Sequence, residues 1–228
     1  MNKKILLLVL VAIFISLSSC SQPDESFFND HVLDMWAQTL EPYSVDIAFY
    51  GDSRVALADW KEAFPDSDVV NLGVGGDIVE GTIQRLRLLD ALDVKYCFLA
   101  IGVNNCSRDS FSKARFRNTY QTLLGGLEDL GISVYIHTIA GVTTDNSDFD
   151  ASFVRRINNN VSAANEIIRD LAQSGNVTLI DMAAVMNNSD GTLMAQYSAD
   201  GIHFSALGNQ LWYDSLRPYV EALTFPEG

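Results

Sequence analysis

The sequence has few cysteines and histidines, and fewer basic residues than acidic ones. Its 228 residues include three cysteines and three histidines, and no Cys/His group has the spacing of zinc ligands. Lysine and arginine together number 15 against 29 aspartates and glutamates, giving a formal net charge of −14. A polyanionic surface repels nucleic acid and anionic lipid head groups. We therefore expect no metal, no cofactor and no nucleic-acid partner, and a neutral ligand in preference to a phosphorylated one.

The shortage of cysteine also argues against a disulfide framework. Beyond Cys20, only Cys97 and Cys106 remain: the first lies in an apolar run predicted to be a strand, the second in the loop after it. Nine residues of mostly extended chain would separate their α-carbons too widely for a disulfide. The sequence therefore favours two free thiols.

A long hydrophobic run occurs only at the start of the chain. The uncharged run Ile5–Leu17 follows Lys3 and Lys4, which is typical of a secretory signal and too short for a comfortable membrane span. It ends in Leu17-Ser18-Ser19-Cys20, which resembles a bacterial lipobox. That resemblance implies cleavage before Cys20 and lipidation of its thiol. The alternative is an ordinary signal peptide with an incidental cysteine.

These features predict a division of the chain into three parts: a lipoprotein signal peptide over residues 1–19, a polar, proline-containing tether over 20–26, and a single domain over 27–228. The mature protein is then expected outside the cytoplasm. It would be held to a bacterial membrane, at the outer membrane or cell surface, through the lipid on Cys20.

Strand and helix patterns alternate along the predicted domain. After a helix at Phe27–Leu40, strands are predicted at Val45–Tyr50, Asp68–Leu72, Val94–Ile101, Ile132–Ile136 and Val177–Ile180. Helices are predicted at Val55–Phe64, Ile78–Leu92, Phe111–Leu130, Phe153–Gln173 and Ala206–Leu223. The strands are apolar almost throughout, as expected when helices cover both faces of a parallel sheet. The pattern predicts a three-layer α/β/α sandwich with a five-stranded parallel sheet.

Two distant motifs indicate an activated nucleophile. Gly51-Asp52-Ser53 lies between a predicted strand and helix, on a sharp turn where a hydroxyl can stand at the carboxyl edge of the sheet. Asp200 precedes His203 by three residues near the end of the chain. A serine becomes a good nucleophile when a histidine, oriented by a carboxylate, removes its proton. Ser53, His203 and Asp200 are therefore candidate catalytic residues, and Asp52 is interpreted as a hydrogen-bond acceptor that stabilises the turn.

Two intervening segments offer hydrogen-bond donors for an oxyanion. The segment Asn71–Asp77 contains three glycines and runs from a strand into a helix, where backbone amides can approach a ligand. It lacks the third glycine of a dinucleotide fingerprint and the Gly-Lys-Ser/Thr of a phosphate-binding loop. Asn104 follows the next strand, and its amide could donate to an oxyanion, although Asn104-Asn105 also reads as a plain turn.

Taken together, these motifs resemble the four blocks of the SGNH/GDSL hydrolase family, in the family's order and over essentially the whole mature chain. The blocks are Gly51-Asp52-Ser53, the glycine loop ending at Gly76, Gly102-x-Asn104 and Asp200-x-x-His203. The resemblance implies that the sandwich has the flavodoxin-like SGNH hydrolase fold, and that Ser53, His203 and Asp200 form a catalytic triad. It also implies an oxyanion hole made by the amides of Ser53 and Gly76 and the side chain of Asn104.

The wider context resembles the subgroup that holds acetylhydrolases and carbohydrate O-acetylesterases; it includes Asp59-Trp60, Phe64-Pro65 and Arg85. The expected substrate is a small acyl ester or an acetylated glycan, hydrolysed through an acyl-enzyme. Alternatives are a lysophospholipase or thioesterase of the same family, or a catalytically decayed glycan-binding lipoprotein. The chain departs from the family pattern at Asn105, where aspartate is usual, and at Arg54, where an aliphatic residue is more usual.

Other candidate residues are interpreted as structural. His137 follows the fourth predicted strand, where polar residues commonly end strands. Trp36, Trp60 and Trp212 fall at helical spacing among apolar neighbours, which favours core packing over a sugar-binding platform.

Overall fold

A computed structural model describes residues 43–174 and 177–225 of the chain. The predicted signal peptide, Cys20, the tether, the predicted helix at Phe27–Leu40 and Trp36 lie outside these residues. Within the described ranges, no helix is both long enough and apolar enough to cross a membrane.

Five parallel strands form the central sheet: β1 (Ile47–Gly51), β2 (Val69–Gly73), β3 (Tyr96–Ala100), β4 (Ser133–His137) and β5 (Val177–Ile180). Their spatial order is β2-β1-β3-β4-β5, which is the flavodoxin-like order. The predicted fold is therefore confirmed. The connection after β1 leads to one side of the sheet, to β2, and the connection after β2 leads to the other side, to β3. Ligands bind beyond the carboxyl ends of the strands at such a switch point, which here lies between β1 and β3.

Nine α-helices connect or follow the strands in the described residues: α1 (Ser53–Ala56), α2 (Trp60–Ala63), α3 (Val79–Gln84), α4 (Leu86–Ala91), α5 (Val103–Ser107), α6 (Lys113–Asp129), α7 (Ala151–Ser174), α8 (Met182–Met186) and α9 (Ala206–Thr224). A short 3₁₀ helix spans Ala195–Tyr197.

The two faces of the sheet carry different sets of helices because successive strand residues point to opposite sides. In β1, Ala48 and Tyr50 face a core formed with α3 through α7. Ile47 and Phe49 face a second core formed with α1, α2, α8 and α9. Helices thus cover both faces, which explains why most strand residues are apolar.

Two of the predicted single helices are each divided into two helices in the structure. The predicted helix Val55–Phe64 is broken after Ala56, because the Asp59 carboxylate accepts a hydrogen bond from the Glu62 amide and begins a new helix, α2. The predicted helix Ile78–Leu92 is broken at Arg85, which separates α3 from α4. Both breaks have consequences: the first lets Trp60 stack on Phe49 in the core, and the second lets Arg85 reach the strand ends.

The buried cysteines and tryptophans have the structural roles expected of them. Cys97 and Cys106 are free thiols, so that prediction is confirmed. Burial raises the pKa of the Cys106 thiol to about 12 and that of Cys97 further still, so both stay protonated at neutral pH. Trp60 and Trp212 are each 2% exposed and meet edge to face in the second core.

Candidate active site

The turn that carries Ser53 is built by its two preceding residues. A β-carbon on Gly51 would lie 1.9 Å from the Ala100 carbonyl oxygen, so only glycine permits this approach to β3. The Asp52 side chain caps α1 by accepting a hydrogen bond from the Arg54 amide at 3.0 Å. Its interpretation as a turn-stabilising acceptor is confirmed. Burial raises the Asp52 pKa to about 6, against opposing effects of Arg54.

The structure brings Ser53 together with Asp200 and His203, which lie 147 and 150 positions later in the chain. His203 Nε2 lies 2.9 Å from Ser53 Oγ, and His203 Nδ1 lies 2.7 Å from Asp200 Oδ2. Because a carboxylate only accepts hydrogen bonds, the Nδ1 proton faces Asp200 and the Nε2 lone pair faces the serine hydroxyl. The imidazole is thus oriented to remove the proton of Ser53.

Asp200 is held in its ionised form by local hydrogen bonds. Burial opposes ionisation, but bonds from the His203 ring and from the backbone amides of His203 and Ile202 outweigh it and lower the Asp200 pKa. The two amides donate to Oδ1 at 2.8 and 3.1 Å, leaving Oδ2 for the imidazole. The side chain is 51% exposed, so its orientation depends on these short local bonds more than on burial.

A polar loop after β4 supports the loop that carries Asp200 and His203. The Thr143 amide donates to the Gly201 carbonyl at 2.9 Å, and the Asn146 side chain donates to the Ser198 carbonyl at 3.1 Å. Thr143 and Asn146 both belong to the segment Gly141–Asp150, which follows β4 at the sheet edge where ligands bind in such folds. Their bracing of the histidine loop is a role that turn chemistry alone does not reveal.

Three N–H donors lie at the same sheet edge, on the segments after β1, β2 and β3. Within the described residues, neither the Ser53 amide nor the Gly76 amide donates to a protein acceptor. The Asn104 side chain uses one N–H on the Asp77 carbonyl at 2.8 Å, leaving its second N–H for another acceptor. The donors predicted from sequence are therefore available at the edge where Ser53 stands.

Asn105, which departs from the family pattern, has two partners that suit an amide. Its oxygen accepts from the Val79 amide at 3.1 Å, and its nitrogen donates to Glu80 Oε2 at 3.0 Å. An aspartate could make the first bond but would repel the Glu80 carboxylate. Asn105 therefore joins α5 to the start of α3 and steadies the neighbouring Asn104.

A buried arginine supports the glycine loop from below. Arg85 is 1% exposed and forms an ion pair with Asp77, the residue whose carbonyl holds Asn104. It also donates to the Leu72 carbonyl at 3.0 Å and lies over the Tyr50 ring. In the sequence Arg85 marks only a resemblance to a subgroup, because nothing local indicates its partners at the ends of the strands.

His137 lies outside the site. It is 2% exposed, and its Nδ1 donates to the Leu99 carbonyl at 2.9 Å. Burial lowers its pKa to about 4, so the ring is neutral at physiological pH. The ring borders a cavity of about 30 Å³ behind the nucleophile turn, which neither Ser53 nor His203 lines. The contacts fit the predicted structural role.

The assembled residues can perform acyl transfer. Acyl transfer needs a serine hydroxyl, an imidazole oriented to take its proton, and N–H donors for the oxyanion, and this sheet edge carries all three kinds of group. Among residues 43–174 and 177–225, no three His, Cys, Asp or Glu side chains come together as a metal site.

Comparisons with known proteins agree on one family. The profile of the GDSL-like Lipase/Acylhydrolase family matches residues 43–211, well over half of the chain. Platelet-activating factor acetylhydrolase IB subunit alpha2 of Rattus norvegicus is 26% identical over 205 residues, covering 82% of this chain and 80% of the relative.

Solved structures show the same fold. A Streptococcus pneumonia protein named as a candidate platelet activating factor has a TM-score of 0.72 at 20% identity, covering 96% of this chain and 100% of its own. A catalytic mutant of an acetylxylan esterase from Geobacillus stearothermophilus has a TM-score of 0.57 at 18% identity, covering 77% and 94%.

Proposed function

The chain belongs to the GDSL-like lipase/acylhydrolase family and is a hydrolase of the esterase type, and from this premise we propose that it removes short acyl groups, chiefly acetyl, from carbohydrate. The observation that carries the proposal is the chain of hydrogen bonds from Ser53 through His203 to Asp200, at 2.9 and 2.7 Å. These intact contacts argue against a catalytically decayed glycan-binding protein.

In the proposed reaction, Ser53 Oγ attacks the ester carbonyl while His203 Nε2 takes its proton. Asp200 stabilises the imidazolium through the Nδ1 proton. The tetrahedral oxyanion accepts hydrogen bonds from the Ser53 and Gly76 amides and from Asn104.

Collapse of this first intermediate releases the alcohol, which leaves with the proton from His203, and the acyl group stays on Ser53. A water molecule then gives a proton to His203 and attacks the acyl-enzyme. The carboxylic acid leaves, and the proton returns to Ser53 Oγ.

The preference for a small acyl group rests on the short connections at the sheet edge that carries Ser53. The connections after β2 and β3 run almost directly into α3 and α5, which leaves little chain for an acyl tunnel. The names of the platelet-activating factor acetylhydrolase and of the acetylxylan esterase also both refer to an acetyl group, although the rest of their substrates differs.

Two observations favour a carbohydrate as the alcohol part of the ester. The net charge of −14 favours a neutral alcohol, and acetylxylan esterases are among the structural neighbours. The second candidate alcohol is a phospholipid, favoured by the similarity to a platelet-activating factor acetylhydrolase over 82% of this chain. A lysophospholipase or thioesterase would need a longer acyl slot.

A series of p-nitrophenyl esters tests the acyl group. A true apolar slot gains about 0.8 kcal/mol per buried methylene, whereas a shallow site gains little. We expect kcat/KM to fall from acetyl through butyryl to octanoyl. The rates of deacetylation of acetylated xylooligosaccharides and of platelet-activating factor, measured at equal concentration, then distinguish a carbohydrate substrate from a phospholipid substrate. A kcat/KM that rises with chain length would favour the lysophospholipase or thioesterase.

We also propose that the protein is anchored outside the cytoplasm through lipid on Cys20, as the motif Leu17-Ser18-Ser19-Cys20 indicates. Cys20→Ser should release the full chain from the membrane fraction or block its maturation, because the acyl chains would have no thiol to occupy. Fractionation with mass spectrometry of the mature amino terminus measures this, and Cys106→Ser serves as the control. A wholly soluble wild type with unmodified Cys20 would refute the anchor.

A further inference from the structure

Arg54, the residue after the nucleophile, binds parts of the chain far from its own turn. It is 6% exposed, and its guanidinium donates to three backbone carbonyls. These are Ile202 at 2.8 Å, Ala140 at 2.7 Å and Gly141 at 2.8 Å. The planar fork of an arginine suits this set, since its donors point in fixed, diverging directions.

The contacts of Arg54 bracket His203 in the chain. The guanidinium binds the carbonyl of Ile202, the residue before the histidine. It also lies over the ring of Phe204, the residue after the histidine, at 4.8 Å from the ring centre. The two remaining bonds go to the segment just after β4. One side chain thus joins the start of α1, the end of β4 and both neighbours of His203.

Backbone hydrogen bonds hold the histidine loop in place, and the one from Arg54 is nearest to His203 in the chain. The Thr143 amide and the Asn146 side chain bind the carbonyls of Gly201 and Ser198. Arg54 binds the carbonyl of Ile202, the residue directly before His203. The guanidinium therefore adds a directional restraint at the histidine itself, which the other two bonds do not reach.

We propose that Arg54 is a positioning residue that holds His203 against Ser53 by tying the nucleophile turn to the backbone on either side of the histidine. The proposal rests on the proposed roles of Ser53 and His203. It accounts for an arginine where the family more usually has an aliphatic residue, which could fill space but could not bind three carbonyls.

The test compares two variants. Arg54→Met has a similar length but no hydrogen-bond donor, and Arg54→Lys keeps the positive charge but has fewer donors. The measurements are kcat and KM on p-nitrophenyl acetate, and the rate at which a fluorophosphonate phosphonylates Ser53. A displacement of about 1 Å at a catalytic group costs about 10²-fold. We expect Arg54→Met to lower kcat and phosphonylation by about 10- to 100-fold with KM nearly unchanged, and Arg54→Lys to recover part of both.

Ile168→Ala is the matched control for stability. Ile168 is fully buried in α7, away from the site, and its truncation should lower the melting temperature while the folded fraction keeps its kcat. All rates are measured well below the melting temperature of each variant. The proposal is overturned if Arg54→Met retains both rates, or loses them only as its folded fraction falls.

A milder variant covers the case in which Arg54→Met does not fold. Phe204→Leu removes the ring under the guanidinium and should slow phosphonylation severalfold without changing KM; unchanged rates would count against the proposal. Failure of the proposed function gives a different result. Wild-type protein that is phosphonylated at Ser53 but cleaves no acetyl ester would refute the substrate, and wild-type protein inert to the probe would refute both.

Discussion

Ser53→Ala and His203→Ala are each expected to lower kcat by several orders of magnitude, and the double variant to lose little more than either alone. Ser53 Oγ and His203 Nε2 lie 2.9 Å apart and act in one proton transfer, so removing either partner disables the other. Asp200→Ala should cost less, because its carboxylate is half exposed and orients the imidazole without touching the substrate. Steady-state kinetics on p-nitrophenyl acetate, with burst titration of active sites, measures these losses.

Ser205→Ala provides a matched serine control for this experiment. Ser205 caps α9 by accepting from the Gly208 amide, two residues after His203 in sequence. Its loss should reduce the free energy of unfolding by about 1 kcal/mol and leave kcat unchanged. If Ser53→Ala keeps near-wild-type turnover, the nucleophile is wrongly assigned; if the losses of the single variants simply add, Ser53 and His203 do not act as a unit.

Asn104→Ala is expected to lower kcat by about 10²–10³ while the melting temperature changes little, as found for removal of one oxyanion donor elsewhere. The side chain uses one N–H on the Asp77 carbonyl, which leaves the second available to an oxyanion. Asn104→Asp should be at least as damaging, because it has nearly the same shape but adds a negative charge beside the developing oxyanion.

Asn160→Ala controls for loss of an amide near the same helix. Asn160 lies on α7 and donates to the Cys106 carbonyl at 2.9 Å, so it supports α5 without facing the proposed oxyanion hole. It should lower stability and spare kcat. A wild-type rate in Asn104→Ala, with a normal melting curve, would reduce Asn104 to an ordinary turn residue.

The two buried arginines suggest how the site is assembled from distant segments. Arg85 binds beneath the glycine loop, through Asp77 and the Leu72 carbonyl, on the side of the oxyanion donors. Arg54 binds the histidine loop on the other side of the nucleophile. Arg54 stays charged in the interior, because burial lowers its pKa only to about 10. The negative charges of Asp52 and Asp200 partly oppose this lowering. Each neutralises nearby carboxylates while satisfying backbone carbonyls.

The catalytic loop is open to solvent despite this internal bracing. The His203 side chain is 29% exposed, so a substrate can approach it without displacement of a covering segment among the described residues. An open site suits a bulky alcohol such as a polysaccharide, whose acyl group alone must reach Ser53. This agrees with the expected preference for acetyl esters.

The parallel α/β sandwich and the identity of the candidate catalytic residues followed from the sequence. Apolar runs separated by helical patterns predict a parallel sheet, because both faces must be covered. The turn at Ser53 and the Asp200-x-x-His203 spacing are local signals, and local chemistry requires those residue types. The breaks within two predicted helices were missed because their apolar pattern continues through Asp59 and Arg85. The first break comes from the local cap of Asp59, whereas the contacts of Arg85 with the strand ends are tertiary.

The tertiary structure alone decided which distant residues support the site. Arg54 reaches residues 86 to 148 positions away, and Thr143 and Asn146 bind a loop more than 50 positions later. Their partners are backbone carbonyls, which every residue has, so no side-chain pattern in the sequence can identify them. Sequence determines chemistry where the interacting groups are local or distinctive. Where a side chain binds the backbone across the fold, only the path of the chain in space selects its partner.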